Sequence, residues 1–302
     1  MYRKILVPLD GSDLAEAPLD YAQRLAAKAG AELILLHVCV PRECHSLAHG
    51  GDSDTEHRLY LEGKAEDVRR SMARSGCENP VVRSVLLTGE PSYEIPRYAD
   101  ESPVDLIAMA THGRSGVRHW VMGSVAIHVH RCSRVPIRLV RSFPAKDSPP
   151  NWPERRILVL LDGSDLAEQV VPYVIDHGKM GHATVTLIRV NEPPHGSAAY
   201  PKSMPLSWEE YSRRVTNQQL QQSRSYLQGI ARQLRLAGLA VRTCSLLGNP
   251  ASEIVEYIER HRFNLTAMTT SAVCAGGVWP IGSVASSIIN GTSTPILLVK
   301  HH

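Results

Sequence analysis

Two stretches of this chain decide its fold. Lys4-Ile5-Leu6-Val7-Pro8-Leu9 runs into Asp10-Gly11-Ser12-Asp13-Leu14-Ala15-Glu16, and Arg156-Ile157-Leu158-Val159-Leu160-Leu161 runs into Asp162-Gly163-Ser164-Asp165-Leu166-Ala167-Glu168. Each is a short aliphatic run followed by the same seven residues, Asp-Gly-Ser-Asp-Leu-Ala-Glu, without one substitution. The chain is one unit written twice. A period this long excludes a solenoid, whose repeats run to about 20–50 residues.

Outward from these two stretches, short aliphatic runs alternate with longer amphipathic ones. In the first copy the aliphatic runs fall at 4–9, 32–40, 82–87, 105–110 and 136–141, and in the second at 156–161, 184–190, 241–247, 264–269 and 295–300. Helical segments are predicted at 14–29, 56–75, 92–101 and 124–131, with counterparts at 166–179, 208–236, 252–260 and 283–290. Runs that are apolar throughout, rather than alternating, belong to parallel strands covered on both faces. With right-handed crossovers the prediction is an α/β protein of two repeated, doubly wound, five-stranded parallel-sheet domains, Rossmann-like in form.

The 302 residues accommodate two domains of ordinary size. The stretch Pro144-Ala145-Lys146-Asp147-Ser148-Pro149-Pro150-Asn151-Trp152-Pro153 has no periodicity and is rich in proline, the mark of a linker. The expected division is a first domain at 1–143, a linker at 144–155 and a second domain at 156–302. Pro18 and Pro172 fall near the starts of the two first helices, which should begin later than the pattern suggests or kink.

Composition narrows the function. A net charge of +3 is too small for a nucleic-acid footprint. No apolar stretch reaches the roughly 18–20 residues of a membrane span, and Met1-Tyr2-Arg3-Lys4 precedes no signal-peptide hydrophobic region. A cytoplasmic protein is expected. Cys39, Cys44, Cys77, Cys132, Cys244 and Cys274 share no spacing between the copies and read as reduced thiols.

After its fourth aliphatic run the first copy reads Ala108-Met109-Ala110-Thr111-His112-Gly113-Arg114-Ser115-Gly116-Val117-Arg118-His119-Trp120-Val121-Met122-Gly123-Ser124. Glycine lets backbone N–H groups approach an anion without an intervening Cβ, and a helix opening at Gly123-Ser124 presents unpaired donors. Such a basic loop can cradle phosphate. The helix dipole supplies only about 0.3–1 kcal/mol, against about 8 kcal/mol for micromolar affinity, so several charge-assisted hydrogen bonds must converge there.

On these residues the chain resembles a tandem universal stress protein, over nearly all of both halves. ATP-binding members of that family carry Gly-x2-Gly-x9-Gly-Ser/Thr and an aspartate ending the first strand. Here Asp10, Gly113, Gly123 and Ser124 match, and Ala110 stands where the first glycine is usual. The resemblance implies that Pro8 and Asp10 face the nucleotide and that Val38 lines the adenine side. Met109, Ala110, His112 and Arg114 then belong to the phosphate loop, with Gly113, Gly123, Ser124 and Val125 contacting phosphate. It further implies ATP, with Mg as a possible companion, and antiparallel pairing of the fifth strands, 137–140 with 296–299, as an intrachain pseudo-dimer. A homodimer of two chains is a further expectation.

The second copy keeps Asp162, Val190, Gly282 and Ser283 at the matching positions, but Ser271, Ala272, Val273 and Gly277 replace His112, Gly113, Arg114 and Arg118. Its loop has lost the histidine and both arginines. Nucleotide is therefore expected mainly in the first domain, with weak or no binding in the second.

Simpler readings stand beside these. Asp13-x-x-Glu16 and Asp165-x-x-Glu168 have the form of capping boxes. Cys44, His45, His49 and His57 crowd one loop, yet their spacing fits no ordinary zinc signature and a solvated loop is preferred. His128 and His130 fall on opposite faces of one helix and cannot chelate one ion. The chain contains no GxxxxGK[ST], GxGxxG, HExxH or GxSxG. Two rival functions stay open: a nucleotide-free interaction scaffold, and a slow ATPase in which Asp10 and Arg114 flank a Mg-bound nucleotide.

Overall fold

The computed structural model describes residues 2–40, 53–111, 122–141, 153–194, 207–270 and 281–300. In the first repeat these form β1 (Lys4–Leu9), α1 (Leu19–Ala29), β2 (Glu32–Cys39), α2 (Ser53–Arg74) and β3 (Val82–Thr88). They continue with α3 (Pro91–Glu101), β4 (Leu106–Ala110), α4 (Ser124–Cys132) and β5 (Ile137–Val140). The second repeat has β6 (Arg156–Leu160), α5 (Asp165–Glu168), α6 (Val171–Gly181), β7 (Thr184–Asn191), α7 (Trp208–Leu236) and β8 (Ala240–Leu247). It ends with α8 (Pro250–His261), β9 (Leu265–Thr270), α9 (Ser283–Gly291) and β10 (Ile296–Lys300).

The aliphatic runs are strands because each is covered on both faces. Ile5, Val7 and Leu9 enter one core with α1 and α2, while Leu6 enters a second core with α3 and α4. The strands join into one ten-stranded sheet in the order β3-β2-β1-β4-β5-β10-β9-β6-β7-β8. All pairs are parallel except β5 with β10, where Leu139, Arg138 and Ile137 oppose Ile296, Leu297 and Leu298. The antiparallel junction read from the resemblance is therefore present, and it covers a strand edge that each repeat would otherwise leave open. The order in which strands are added across the sheet reverses between β1 and β4, and again between β6 and β9, so a crevice opens at the carboxyl ends of each pair.

In the first repeat the helix begins late, at Leu19 behind Pro18, and in the second it is broken, with α5 ending at Glu168 and α6 starting at Val171 beside Pro172. The capping reading needs correction by one residue. In the second repeat Ser164 caps α5, its Oγ accepting from Ala167 N at 3.2 Å, and in the first the Oγ of Ser12 accepts from Ala15 N at 3.3 Å in a turn ahead of α1, which itself has no side-chain cap. The reason lies one step upstream. Asp10 Oδ1 accepts from Ser12 N and Oγ (3.0 and 2.6 Å), and Asp162 Oδ1 does the same for Ser164 (2.8 and 2.6 Å). That turn places serine, not the following aspartate, at the cap. Glu16 is engaged elsewhere, accepting from Tyr60 Oη and Lys64 Nζ on α2 at 3.0 and 2.7 Å.

Beside the β5–β10 seam lies a polar cluster that the sequence reading did not foresee. Arg138, fully buried, donates through Nη1 to Glu154 Oε1, and its guanidinium lies 3.5 Å from the Tyr21 ring centroid. His177 Nδ1 is 2.6 Å from the other oxygen of Glu154, and Tyr2 Oη is 2.8 Å from His177 Nε2. The segment before β1, α1, β5, the segment before β6, and α6 thus meet in one network. On the opposite face His130 Nε2 and Thr270 Oγ1, 2.9 Å apart, join α4 to β9. His128 points elsewhere, with its ring 4.5 Å from that of Tyr93.

Cys39 is disulfide-bonded to a partner outside the described residues, which corrects the reading of uniformly reduced thiols, whereas Cys77, Cys132 and Cys244 are free. Spacing could not report it, because a disulfide depends on distance in the fold. No described helix is long and apolar enough to cross a membrane.

Candidate functional site

The crevice of the first repeat is a cavity of about 320 Å³. β1 ends there with Pro8 and Asp10, β2 contributes Val38, and β4 contributes Met109 and Ala110. The start of α4 closes it with Gly123, Ser124 and Val125. Every described residue that the resemblance assigns to the nucleotide thus lines one cavity. His112, Gly113 and Arg114 lie outside the described residues.

The start of α4 presents unpaired backbone donors to the cavity. Gly123 precedes the helix in extended conformation and offers no side-chain cap, and its N–H donates to Thr111 O at 2.8 Å, tying the helix start to the end of β4. The first intrahelical bond runs from Ile127 N to Gly123 O. The N–H groups of Ser124, Val125 and Ala126 precede that bond and have no acceptor within the helix. All three residues line the cavity.

Asp10 has two tasks. One carboxylate oxygen holds the Ser12 turn, and the residue also lines the cavity. The opposite wall is apolar, with Leu36, Val38, Val40 and Ile95. His37 donates from Nδ1 to Leu9 O at 2.9 Å, and its ring stacks on His57 with centroids 4.4 Å apart. That fixes β2 against β1 at the mouth. Among the described residues no group of three or more His, Cys, Asp or Glu is placed to hold a metal, and Cys44, His45 and His49 lie outside them.

Sequence reasoning missed His37, Val40, Pro91, Ile95 and Thr111. Three of these carried a signal. Counting back from Gly282, the second copy keeps proline, isoleucine and threonine at Pro250, Ile254 and Thr270, and all three line its own cavity.

That second cavity, about 330 Å³, is lined by Asp162, Val190, Gly282 and Ser283, the four matching positions. Its α9 also begins without a side-chain cap. Leu160 stands in place of Pro8 and Thr269 in place of Ala110, with Thr269 Oγ1 donating to Ala167 O at 3.4 Å. The frame of the site therefore persists in the second repeat at equal size. Its differences lie in chemistry rather than in shape.

Fold and site together define a tandem, doubly wound α/β protein with a ligand-sized crevice at the switch point of each half. The universal stress protein family model matches residues 1–141 and again 154–300, so the chain belongs to the universal stress protein family. It is 30% identical over 151 residues to universal stress protein YxiE of Bacillus subtilis, covering 47% of this chain and 100% of that one. It is 28% identical over 158 residues to universal stress protein MJ0577 of Methanocaldococcus jannaschii, covering 47% and 96%. Over nearly its whole length it shares the fold of a universal stress protein from Archaeoglobus fulgidus. The TM-score there is 0.70 at 19% identity, with 99% of this chain and 98% of that one covered.

Proposed function

We propose that the first repeat binds an adenine nucleotide, ATP in the first instance, as a protein of the stress response. The observation that carries this reading is the convergence on one cavity of the uncapped start of α4, the Asp10 carboxylate and an apolar wall. These are the three chemistries an adenine nucleotide demands. Backbone donors at a helix start suit phosphate oxygens, a carboxylate accepts from ribose hydroxyls, and Val38, Leu36 and Ile95 cover a base. The cavity, at about 320 Å³, is at the small end of ligand pockets.

The intrachain pair stands in for a dimer, and a homodimer of two chains in the cytoplasm completes the proposal. The test is to denature freshly purified full-length protein and chromatograph the released small molecules. ATP, ADP or AMP in the supernatant supports the reading. A clean blank, together with no heat on titration of ATP with or without Mg, would favour a nucleotide-free scaffold of the same fold. Slow hydrolysis is tested separately, by phosphate release that disappears in Asp10→Ala.

A further inference from the structure

The second repeat's crevice continues past the cavity described above. At Asp162, Val190 and Pro250 it joins a second hollow, about 670 Å³, whose polar lining is Asp162, Arg189, Asn191, Glu192, Gln219 and Gln222. Arg189 occupies the β7 position at which β2 carries His37, since both strands begin at matching residues, Thr184 and Glu32. Its guanidinium lies flat against the backbone of Gly163, where an added Cβ would meet its Nη1 and Cζ at 2.5 and 2.6 Å. The other side faces the Tyr226 ring, with Cζ 5.4 Å from the centroid.

Among the described residues the packing holds this guanidinium without a hydrogen bond to its N–H groups. Among the described residues no carboxylate lies within ion-pair distance of Arg189, even though Asp162 and Glu192 line the same hollow. Gln219 Oε1 is buried with no donor among the described residues. Asn191 is already committed: its Nδ2 donates to Ser245 Oγ and Leu246 O, and its Oδ1 accepts from Ser223 Oγ at 2.6 Å. It serves as a rigid wall. The hollow therefore offers one separated cation and two carboxylates, next to an apolar cavity walled by Leu160, Ile188, Val190, Ile254 and Met268.

A simple anion fits this set poorly, because the carboxylates outnumber the arginine. A cation fits poorly as well, because Arg189 repels it. A zwitterion satisfies both charges, and the adjoining apolar space takes a hydrocarbon substituent. We propose that the second repeat binds a free amino acid with an aliphatic or aromatic side chain. Arg189 receives the carboxylate, Asp162 and Glu192 receive the ammonium group, and the side chain enters the apolar cavity. The proposal is independent of nucleotide binding in the first repeat. It gives the second crevice a ligand suited to the loop cations it has lost.

The test is calorimetric titration of the full chain with L-leucine and L-phenylalanine, each beside its N-acetyl derivative and its amide. Binding of at least one amino acid at one per chain is expected, with either blocked form weaker by about tenfold or more, the worth of a charge-assisted hydrogen bond. Arg189→Met should erase the preference for the free acid over the amide, and Arg189→Lys should retain part of it. Gly123→Asp should leave amino-acid binding unchanged, and saturating ATP should not displace it. Failure of both amino acids to bind, equal binding of free and blocked forms, or displacement by ATP overturns the proposal. Should Arg189→Met not fold, the free and blocked ligands compared on the unaltered chain decide the same question. Nucleotide release from the first repeat is read separately, so the two readings fail independently.

Discussion

Glu154 Oε2 and His177 Nδ1 stand 2.6 Å apart with both side chains buried, and the other oxygen of Glu154 accepts from Arg138. Burial alone would raise the Glu154 pKa. The neighbouring His177 and Arg138, by charge and by hydrogen bonding, outweigh it and leave the carboxyl below its ordinary 4.5. One carboxylate thus holds the last strand of the first repeat and the first long helix of the second.

Glu154→Gln should be strongly destabilising, because it removes the countercharge and leaves Arg138 buried with a neutral partner. A loss of about 3–5 kcal/mol in urea unfolding at pH 7 is expected. The pH dependence has a definite sign. A carboxylate whose folded pKa is lowered contributes stability above its unfolded value and loses it as pH falls through the folded one. Wild-type stability should therefore fall below about pH 4.5 in a way that Glu154→Gln does not share. Parallel pH profiles of the two chains would contradict this account.

His130 gives an earlier acid window. Burial, helped by the charge of Lys300, lowers its pKa from 6.5 to about 4. Between those values the unfolded chain takes up the proton and the folded chain does not, so stability declines from pH 6.5 to about 4 and then levels off. The difference amounts to about 3 kcal/mol. Ile289 occupies the matching place in α9. His130→Ile should flatten the slope, which urea midpoints at pH 7.5 and 4.5 will show.

Gly123→Asp and Gly282→Asp form a paired test of the asymmetry between repeats. Both glycines have backbone angles that any residue adopts, and a Cβ at Gly282 meets nothing within 4 Å. Folding should survive both changes. An aspartate at Gly123 sets a negative charge where phosphate is proposed to sit, so ATP affinity should fall tenfold or more, with little change from Gly282→Asp. Equal losses, measured by calorimetry, would show that both repeats hold nucleotide alike.

Two helical glycines should respond oppositely to alanine. At Gly181, at the end of α6, an added Cβ would meet the carbonyl oxygen of Glu154 at 2.5 Å. Backbone cannot yield as a side chain can, and Gly181→Ala should cost about 1–3 kcal/mol. Gly229, inside α7, has nothing within 4 Å, and Gly229→Ala should stabilise by about 0.5–1 kcal/mol. Thermal unfolding of the two variants decides both.

The strands were legible because a buried parallel strand is apolar on both faces, and that pattern is local. β1 runs from Lys4 to Leu9 as read, and α7 from Trp208 to Leu236 as read. The motif residues were legible because the two copies could be laid on each other. The cap of α5 was placed one residue late, at Asp165 instead of Ser164, because serine and aspartate both suit a cap and only the turn held by Asp162 ranks them. Pro91 and Ile95 were overlooked because they lie on a helix far along the chain from the glycine loop, although the second copy preserves both.

By itself the sequence determined that one doubly wound unit occurs twice, and it picked out part of the lining of each crevice. Both follow from short-range pattern: aliphatic runs that need two covered faces, and a repeated turn at the end of a strand. Only the tertiary structure decided what joins the halves and what distinguishes them. Arg138, Glu154 and His177 read separately as ordinary polar residues, and become a buried network only when β5, α6 and the segment before β6 converge. Arg189 reads as one arginine in a strand until Gly163 and Tyr226 enclose it and the hollow beside it appears. The physical reason is the same in each case. Burial and pairing depend on neighbours distant in sequence, and a charge acquires its function from the low-dielectric surroundings that the fold assembles around it.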